Sequence, residues 1–407
     1  MIEKNEVTAM ANGLSLNLDT IEKDYVLGWL LWGINNHKDL SLKWLFKGGT
    51  SLKKCFFDTF RFSEDLDFTV TDEKHLSKDF LHETFHQISE NIYEETGIEF
   101  FKEHFRFKIL PKESGKLSAQ GVIHYNGPLR RRQGATANFA SVKLDLTTNE
   151  IIVLQPQKKN VYHPYSDVPQ TEIWANCYAF EEVIAEKIRA LGERLRPRDL
   201  YDVIHFLRNR EMVENPQLVY NILIKKCSFK NIIVPTYAHI ENHEKIEELV
   251  AQWDKMLAHQ LPTLPPLESF WQELETFFAW LEGTLQEHNH IEMQNLDGEI
   301  FHPDYANNAS SINAIIHRIQ FAAANRICIE LTYHNKVRLI EPLSFRRAKN
   351  GNELFYGYER ESSMPKAFTL SEIQNVIITN IPYQGCQYLI EIKARGNVEM
   401  PYLKRRK

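Results

Sequence analysis

FKGGTSLKKCFFDTFRFSEDLDFTV, residues 46–70, is the stretch that decides the fold. The apolar run Trp44-Leu45-Phe46 leads into Gly48, Gly49 and Thr50, which read as a tight turn. Ser51 to Phe57 predicts one or two helical turns, and Leu66 to Val70 predicts a strand that begins inside the acidic pair Asp65 and Asp67. Two glycines let the backbone approach a ligand closely and turn several N–H groups toward it, and a helix N-terminus adds a field that favours an anion. Residues i and i+2 of a strand share a face, so Asp65 and Asp67 present two carboxylates side by side. A phosphate cradle beside paired hard oxygen ligands suits a magnesium–nucleotide complex.

Working outward, residues 15–36 predict a helix capped by Asp19 or Thr20, with Ile21, Tyr25, Leu27, Leu30, Leu31 and Ile34 at helical spacing. Its Glu22, Lys23 and Asp24 read most simply as a solvated first turn. Ser77 to Glu95 predicts a second amphipathic helix, ended by Gly97. Residues 99–110, 117–125 and 139–146 are strand-like. Asp145 sits in the last of them between Leu144 and Leu146, facing either solvent or a site; the acidic pair on the earlier strand favours the site. Pro128 to Gly134, PLRRRQG, carries Arg130, Arg131 and Arg132. It reads as an exposed loop or as a loop contacting phosphates, for which guanidinium forks are suited.

Two helices follow over 180–195 and 198–207, with Pro197 placed to start the second. Lys187, Arg189, Arg194, Arg196 and Arg198 make this region basic. Asp199 and Asp202, at i and i+3, share a helix face, an arrangement that in isolation belongs to a salt-bridge network.

The 407 residues are 43% hydrophobic and 25% charged, the composition of globular domains with sizeable cores, and at roughly 100–200 residues per domain the length predicts two or three of them. The net charge of −6 assigns any nucleic-acid contact to local basic patches. Cys55, Cys177, Cys227, Cys328 and Cys386 are scattered and form no C-x-x-C pair, which supports neither a zinc site nor a disulfide framework. The first residues lack a signal-peptide pattern and no apolar run approaches 18 residues, so the expectation is a cytoplasmic protein with no membrane contact.

Composition shifts after residue 287. The polar stretch 288–310 reads as a linker, Ile312 to Asn325 as a helix, and 327–392 as short strands with hairpin signals at His334-Asn335 and Asn350-Gly351. The expected organisation is a catalytic core over 1–175, a helical part over 176–287, a linker over 288–310, a small β domain over 311–395 and a basic tail over 396–407.

The opening stretch resembles the AbiEii family of nucleotidyltransferases, toxins of bacterial abortive-infection and type IV toxin–antitoxin systems. The likeness rests on K-G-G-T-S-L-K-K at Lys47 to Lys54 and R-F-S-E-D-L-D-F at Arg61 to Phe68. Further matches are I-E-K-D-Y at Ile21 to Tyr25, K-L-D-L at Lys143 to Leu146, A-E-K-I-R-A-L at Ala185 to Leu191 and R-P-R-D-L-Y-D-V at Arg196 to Val203. The C-terminal part is similar to a WYL domain, a small Sm-like β-barrel known as a ligand-sensing module. That likeness rests on Arg338, Glu341-Pro342, Leu354-Phe355-Tyr356 and Phe368-Thr369-Leu370, with the name-giving tripeptide changed to Phe355-Tyr356-Gly357.

These resemblances imply an α+β fold: a polymerase β-like nucleotidyltransferase mixed sheet with helices, then a helical region and a small C-terminal Sm-like β-barrel. They also imply transfer of a nucleotide from a nucleoside triphosphate (NTP) to an acceptor, here RNA and above all the 3′ end of tRNA, as a toxin in phage defence with a winged-helix antitoxin as partner. Two Mg2+ ions roughly 3.5–4 Å apart would be bridged by Asp65 and Asp67, with Asp145 holding the one nearest the attacking hydroxyl. Gly48, Gly49 and Thr50 would bind the β and γ phosphates, with Ser51, Ser63, Lys53 or Lys54 adding contacts, although the two lysines can equally point outward. Lys187 would neutralise the triphosphate beside Asp199 or Asp202. RNA phosphates would meet Arg130, Arg131, Arg132, Arg194 and Arg196, and a WYL ligand would meet Arg338, Tyr356 and Arg360. The rival expectations are nucleotide or phosphate transfer to a protein partner, and a catalytically inactive ligand-sensing module.

Overall fold

The computed structural model describes the chain except residues 58, 112–114, 131–138, 170–171, 286–298, 301–310, 385–389, 394–395 and 400–407. Among the described residues, eight strands form one mixed sheet: β1 (Trp44–Lys47), β2 (Asp65–Val70), β3 (Glu99–Phe100), β4 (Arg106–Pro111), β5 (Leu117–Asn126), β6 (Ala140–Thr147), β7 (Gln157–Asn160) and β8 (Trp174–Cys177). Their order is β3-β5-β6-β2-β1-β8-β7, with β4 also on β5. β1 runs antiparallel to β2, and β2 runs parallel to β6. Alternation fixes the faces: Phe46, Leu66, Phe68, Leu144 and Leu146 are buried in one core with Leu30, Phe85 and Ile88. Those three come from α2 (Leu18–Asn36) and α4 (Lys78–Thr96). The residues between them on β2 and β6 face the other way.

The expected helix over 15–36 is α2, and a helix that was not expected, α1 (Lys4–Leu14), precedes it and ends at Ser15, which takes a left-handed conformation with φ 55°. The N-cap position of α2 is Asn17 rather than Asp19 or Thr20, and its side chain forms no cap among the described residues. The helix is buried almost all round, and the expectation of a solvated first turn fails with it: Glu22 and Asp24 are buried. Asp24 accepts from Lys54 at 2.7 Å and from Tyr165 at 2.8 Å, and Glu22 accepts from the Leu129 N–H at 2.8 Å. α4 ends at Gly97, with φ 77°.

After β1, the short α3 (Gly48–Ser51) continues as a π-helical turn over Leu52–Phe56. The expected helix pair is α5 (Phe180–Arg194) and α6, which Pro197 opens (Pro197–Arg208). α7 (Pro216–Lys230), α8 (Tyr237–Glu241), α9 (Ile246–Leu257), α10 (Leu267–Trp271) and α11 (Leu274–Leu281) complete the helical part. β8 runs across residue 175, so the sheet continues past the boundary expected there.

α12 (Ser311–Asn325) then packs on a second antiparallel sheet: β9 (Glu299–Ile300), β10 (Ile327–Tyr333), β11 (Lys336–Arg347), β12 (Glu353–Glu359), β13 (Met364–Thr369) and β14 (Ile373–Pro382), ordered β13-β12-β11-β10-β14 with β9 on β11. β15 (Ile390–Lys393) and β16 (Gly396–Glu399) form a hairpin, which carries ordered strand into the segment expected as tail. β9 likewise places a strand within the expected linker, whose other residues lie outside the described ones, apart from 299–300. Both hairpin signals hold: His334 and Asn335 have φ 51° and 60°, and Gly351 has φ 88°. Arg208 ties this unit to the helical part by donating to the Asn325 carbonyl at 2.9 Å.

Candidate active site

Strand register assembles the site. Lys47 of β1 lies opposite Asp67 of β2, Asp67 lies opposite Asp145 of β6, and Asp145 lies opposite Gln120 of β5. Four polar side chains thus form a row across four adjacent strands, on the face away from Leu66 and Leu144. Asp65, two residues before Asp67, lies opposite Lys143. Asp145 Oδ1 accepts from the Gln120 amide at 3.1 Å.

Burial pushes the Asp67 carboxyl up to about 6, with Asp145 and Asp65 adding to the rise against the pull of Lys47 and Lys187. Asp65 is raised as well, by burial first and then by Asp145 and Glu64, against Lys143 and Arg198. Burial alone would lower Lys47, but Glu186, Glu150 and Asp67 hold it above its ordinary value. Its ammonium pairs with Glu186 at 3.2 Å and Glu150 at 3.8 Å. A carboxylate group that resists ionisation at this row is what an added cation relieves. Among the described residues no three His, Cys, Asp or Glu side chains enclose an ion by themselves. Asp67 and Asp145 side by side suit a hard divalent cation, of the kind that takes one or two carboxylates and completes its shell with water and substrate phosphates.

The glycines are explained by contact. Gly48 has φ 77°, and a Cβ there would stand 2.0 Å from Asp67 Oδ2; a Cβ on Gly49 would stand 2.7 Å from Arg61 Nη2 and 3.2 Å from Ser63 Oγ. Gly48→Ala is therefore expected to lower stability by roughly 1–2 kcal/mol through its backbone alone. It also displaces Asp67, so a variant that melts lower yet transfers nucleotide at the wild-type rate would contradict this account. The hydroxyls expected at phosphate brace the turn instead: Thr50 donates to the Asp65 carbonyl, and Ser51 donates to the Gly48 carbonyl at 2.8 Å. Backbone N–H groups are what the turn has left for an anion. Lys53 and Lys54 neither join the turn nor point outward. Lys54 is buried against Asp24, and the Lys53 ammonium lies 5.0 Å from the Phe62 ring centre and 4.9 Å from that of Tyr162.

Asp199 and Asp202 are both completely buried and both hold cations. Asp202 accepts a two-pronged contact from Arg61 at 2.7 and 2.8 Å and pairs with Lys187 at 2.8 Å. Asp199 takes the fork of Arg194 at 2.6 and 2.8 Å, with Lys187 at 3.8 Å. The bridges cross between elements rather than run along one helix. Arg198 sits close enough to feel Asp65, Glu64 and Asp202, and its buried Nε has no hydrogen-bond partner among the described residues.

Lys47, Arg61, Gln120, Lys143 and Arg198 are the site residues that sequence reasoning did not single out. All of these but Gln120 stand inside the quoted motifs, and their charge was the available signal. Of the expected RNA contacts, Arg130 is exposed with φ 44° and Arg196 is exposed, Arg194 is tied to Asp199, and Arg131 and Arg132 lie outside the described residues. In the C-terminal sheet Arg338 pairs with Glu359 at 3.1 Å, Arg360 pairs with Glu341 at 2.8 Å, and the Arg346 guanidinium lies 5.5 Å from the Tyr356 ring centre, so the three expected ligand contacts already have protein partners.

Residues 29–282 match the family described as nucleotidyl transferase AbiEii toxin, type IV TA system. No curated protein matches the chain. Among solved structures the chain is similar to MenT4, a nucleotidyltransferase toxin from Mycobacterium tuberculosis H37Rv, with 18% identity and a TM-score of 0.45 over 69% of this chain and 90% of that one.

Proposed function

This chain belongs to the AbiEii family of nucleotidyl transferase toxins, and from that premise we propose that it adds nucleotides from an NTP to the 3′ end of RNA, tRNA foremost, using Mg2+. Nucleotidyl transfer as the enzyme's class follows from the family; the acceptor, the metal's identity and a winged-helix antitoxin as partner are the proposal. The observation that carries it is the row Lys47–Asp67–Asp145 at the foot of the Gly48 turn, faced by Lys187, Arg194 and Arg198.

Asp65, Asp67 and Asp145 are the residues that would hold the metal, which when bound neutralises phosphate charge and favours an ionised hydroxyl nucleophile; two such ions suit in-line displacement. The N–H groups of the turn receive the β and γ phosphates. Lys187, fixed by Asp202, and Arg198 place positive charge where the pyrophosphate leaves, so that charge developing there meets preorganised partners. Asp145, steadied by Gln120, stands nearest the acceptor side and takes the proton of the attacking hydroxyl. The exposed Arg130 and Arg196 are available to the RNA backbone.

Incubation of the protein with each of four labelled NTPs, Mg2+ and total RNA is expected to label RNA, and an Asp67→Ala control is expected to label none. Label in a protein band instead would replace the RNA acceptor by a protein one. Label in neither would remove the support for RNA as acceptor.

A further inference from the structure

Two of the scattered cysteines meet in the fold. Cys55 of the π-helical turn and Cys177 at the end of β8 are 122 residues apart in the chain, yet their sulfurs stand 3.5 Å apart and both thiols are free. We propose that Cys55 and Cys177 are an oxidisable pair that a hydroperoxide converts to a disulfide, fastening the segment that follows the catalytic turn to the strand beside β1.

A disulfide sets its sulfurs about 2.05 Å apart, so the pair must close by roughly 1.5 Å. Rotation of a cysteine side chain between staggered positions carries its sulfur further than that. Cys177 is the fixed partner. It lies in register with Phe46 of β1 on one side and Gln157 of β7 on the other, and the next residue, Tyr178, donates its N–H to the Phe46 carbonyl at 3.1 Å. Cys55 is the partner that approaches. It is half-buried, and its turn is closed by the wide ring from the Phe57 N–H to the Leu52 carbonyl, at 2.9 Å, rather than by a run of α-helical bonds. Phe46 precedes Gly48–Ser51 and Cys55 follows it, so the bond would close a ring around the catalytic turn.

Exposure divides the roles. Cys177 is completely buried, and burial with Cys55 at its side pushes its thiol well above the ordinary value, so it keeps its proton until a partner is presented. Cys55 is the sulfur that solution reaches. Its thiolate attacks one oxygen of the hydroperoxide, the O–O bond breaks, and the alcohol leaves with the proton that Cys55 gave up, so that Cys55 becomes a sulfenic acid. Cys177 then attacks the Cys55 sulfur, the S–O bond breaks, and the departing hydroxide takes the Cys177 proton as water. Two thiols and one hydroperoxide thus give one disulfide, one alcohol and one water, with two electrons passing from sulfur to oxygen. The Lys159 ammonium, 5.4 Å from the Phe56 ring centre, acts on Cys177 in the direction that favours the ionised sulfur. Cys227 and Cys328 are buried, so neither offers the exposed thiol with which the sequence of steps begins.

The full chain is treated with hydrogen peroxide, without NTP or RNA, so that the outcome is independent of what the enzyme transfers. Remaining thiols are then alkylated in denaturant before digestion and mass spectrometry. A peptide pair joining Cys55 to Cys177 is expected, with the free thiols of the five cysteines reduced by two and restored by dithiothreitol. Cys177→Ser is expected to stop at the sulfenic acid, which dimedone traps on Cys55. Cys55→Ser is expected to leave Cys177 unmodified while circular dichroism shows the variant folded. The linked peptide from the parent chain does not depend on either variant folding. Cys55 joined instead to Cys227, Cys328 or Cys386, oxidation of Cys177 in folded Cys55→Ser protein, or no Cys55–Cys177 peptide from the parent overturns the proposal.

Discussion

Replacing Asp67 by asparagine is expected to abolish nucleotide transfer while making the metal-free protein more stable at neutral pH. Activity should fall on the order of a thousandfold, the scale of several kcal/mol of charge stabilisation at the reacting phosphate. The stability gain follows from the raised carboxyl. With the folded-state value near 6 against 3.8 unfolded, the native state keeps a proton on Asp67 that the unfolded chain has already released. The stability contributed by that proton is fully present below pH 3.8 and is lost as pH rises through about 6. Asparagine has no proton to lose. The variant and the parent should therefore differ little near pH 4, and the variant should lead by roughly 1–3 kcal/mol at pH 7 in chelator. Comparing the two proteins at each pH cancels the oppositely shifted Asp202 and Glu186, both held below the ordinary carboxylate range by their cations despite burial. Denaturant melts with and without Mg2+ check this. A stability difference that does not change with pH would mean that Asp67 is not the strained carboxylate of the row.

What the sequence revealed of this site depended on distance along the chain. The glycine pair and D-x-D were legible because a turn and a strand set their geometry within a few residues. Asp145 was legible because a lone carboxylate between leucines on a period-two strand has two faces to choose from, and register puts it opposite Asp67. Helices α5 and α6 announced themselves through apolar spacing and Pro197. Strands β7 and β8, four residues each, are too short to show a period, yet β8 is the parallel neighbour that buries β1. Lys53 and Lys54 misled because they follow a phosphate-type turn. The π-helical turn carries them to the far side, where Asp24, buried rather than solvated, waits for Lys54. The partner of a buried charge is chosen by tertiary packing, and Arg61 and Asp202 stand 141 residues apart.

That pair carries the second large effect. Arg61 and Asp202 are both buried, and Asp202 also anchors Lys187, so one carboxylate fixes two cations on two elements. Arg61→Met should cost about 3–5 kcal/mol, because it leaves Asp202 in the core with Lys187 as its sole close cation, and Asp202→Asn should cost a similar amount by stranding Arg61. Neither cost measures the worth of the bridge, since each single change leaves a charge behind. The double variant should therefore lie above the sum of the two singles by roughly 2 kcal/mol or more, and the coupling should hardly respond to salt, as a buried pair is poorly screened. Transfer should fail in all three, though for different reasons. Arg61→Met removes the guanidinium packed against Gly49, while Asp202→Asn releases Lys187 from the position it holds opposite Asp67. Gly49→Ala tests the contact itself: its methyl meets Arg61 Nη2 in the parent, so it should cost stability there and much less in the Arg61→Met background. Additive single and double effects would mean that Arg61 and Asp202 are packed beside each other without the turn depending on them, and the basic face behind the acidic row would then need another support.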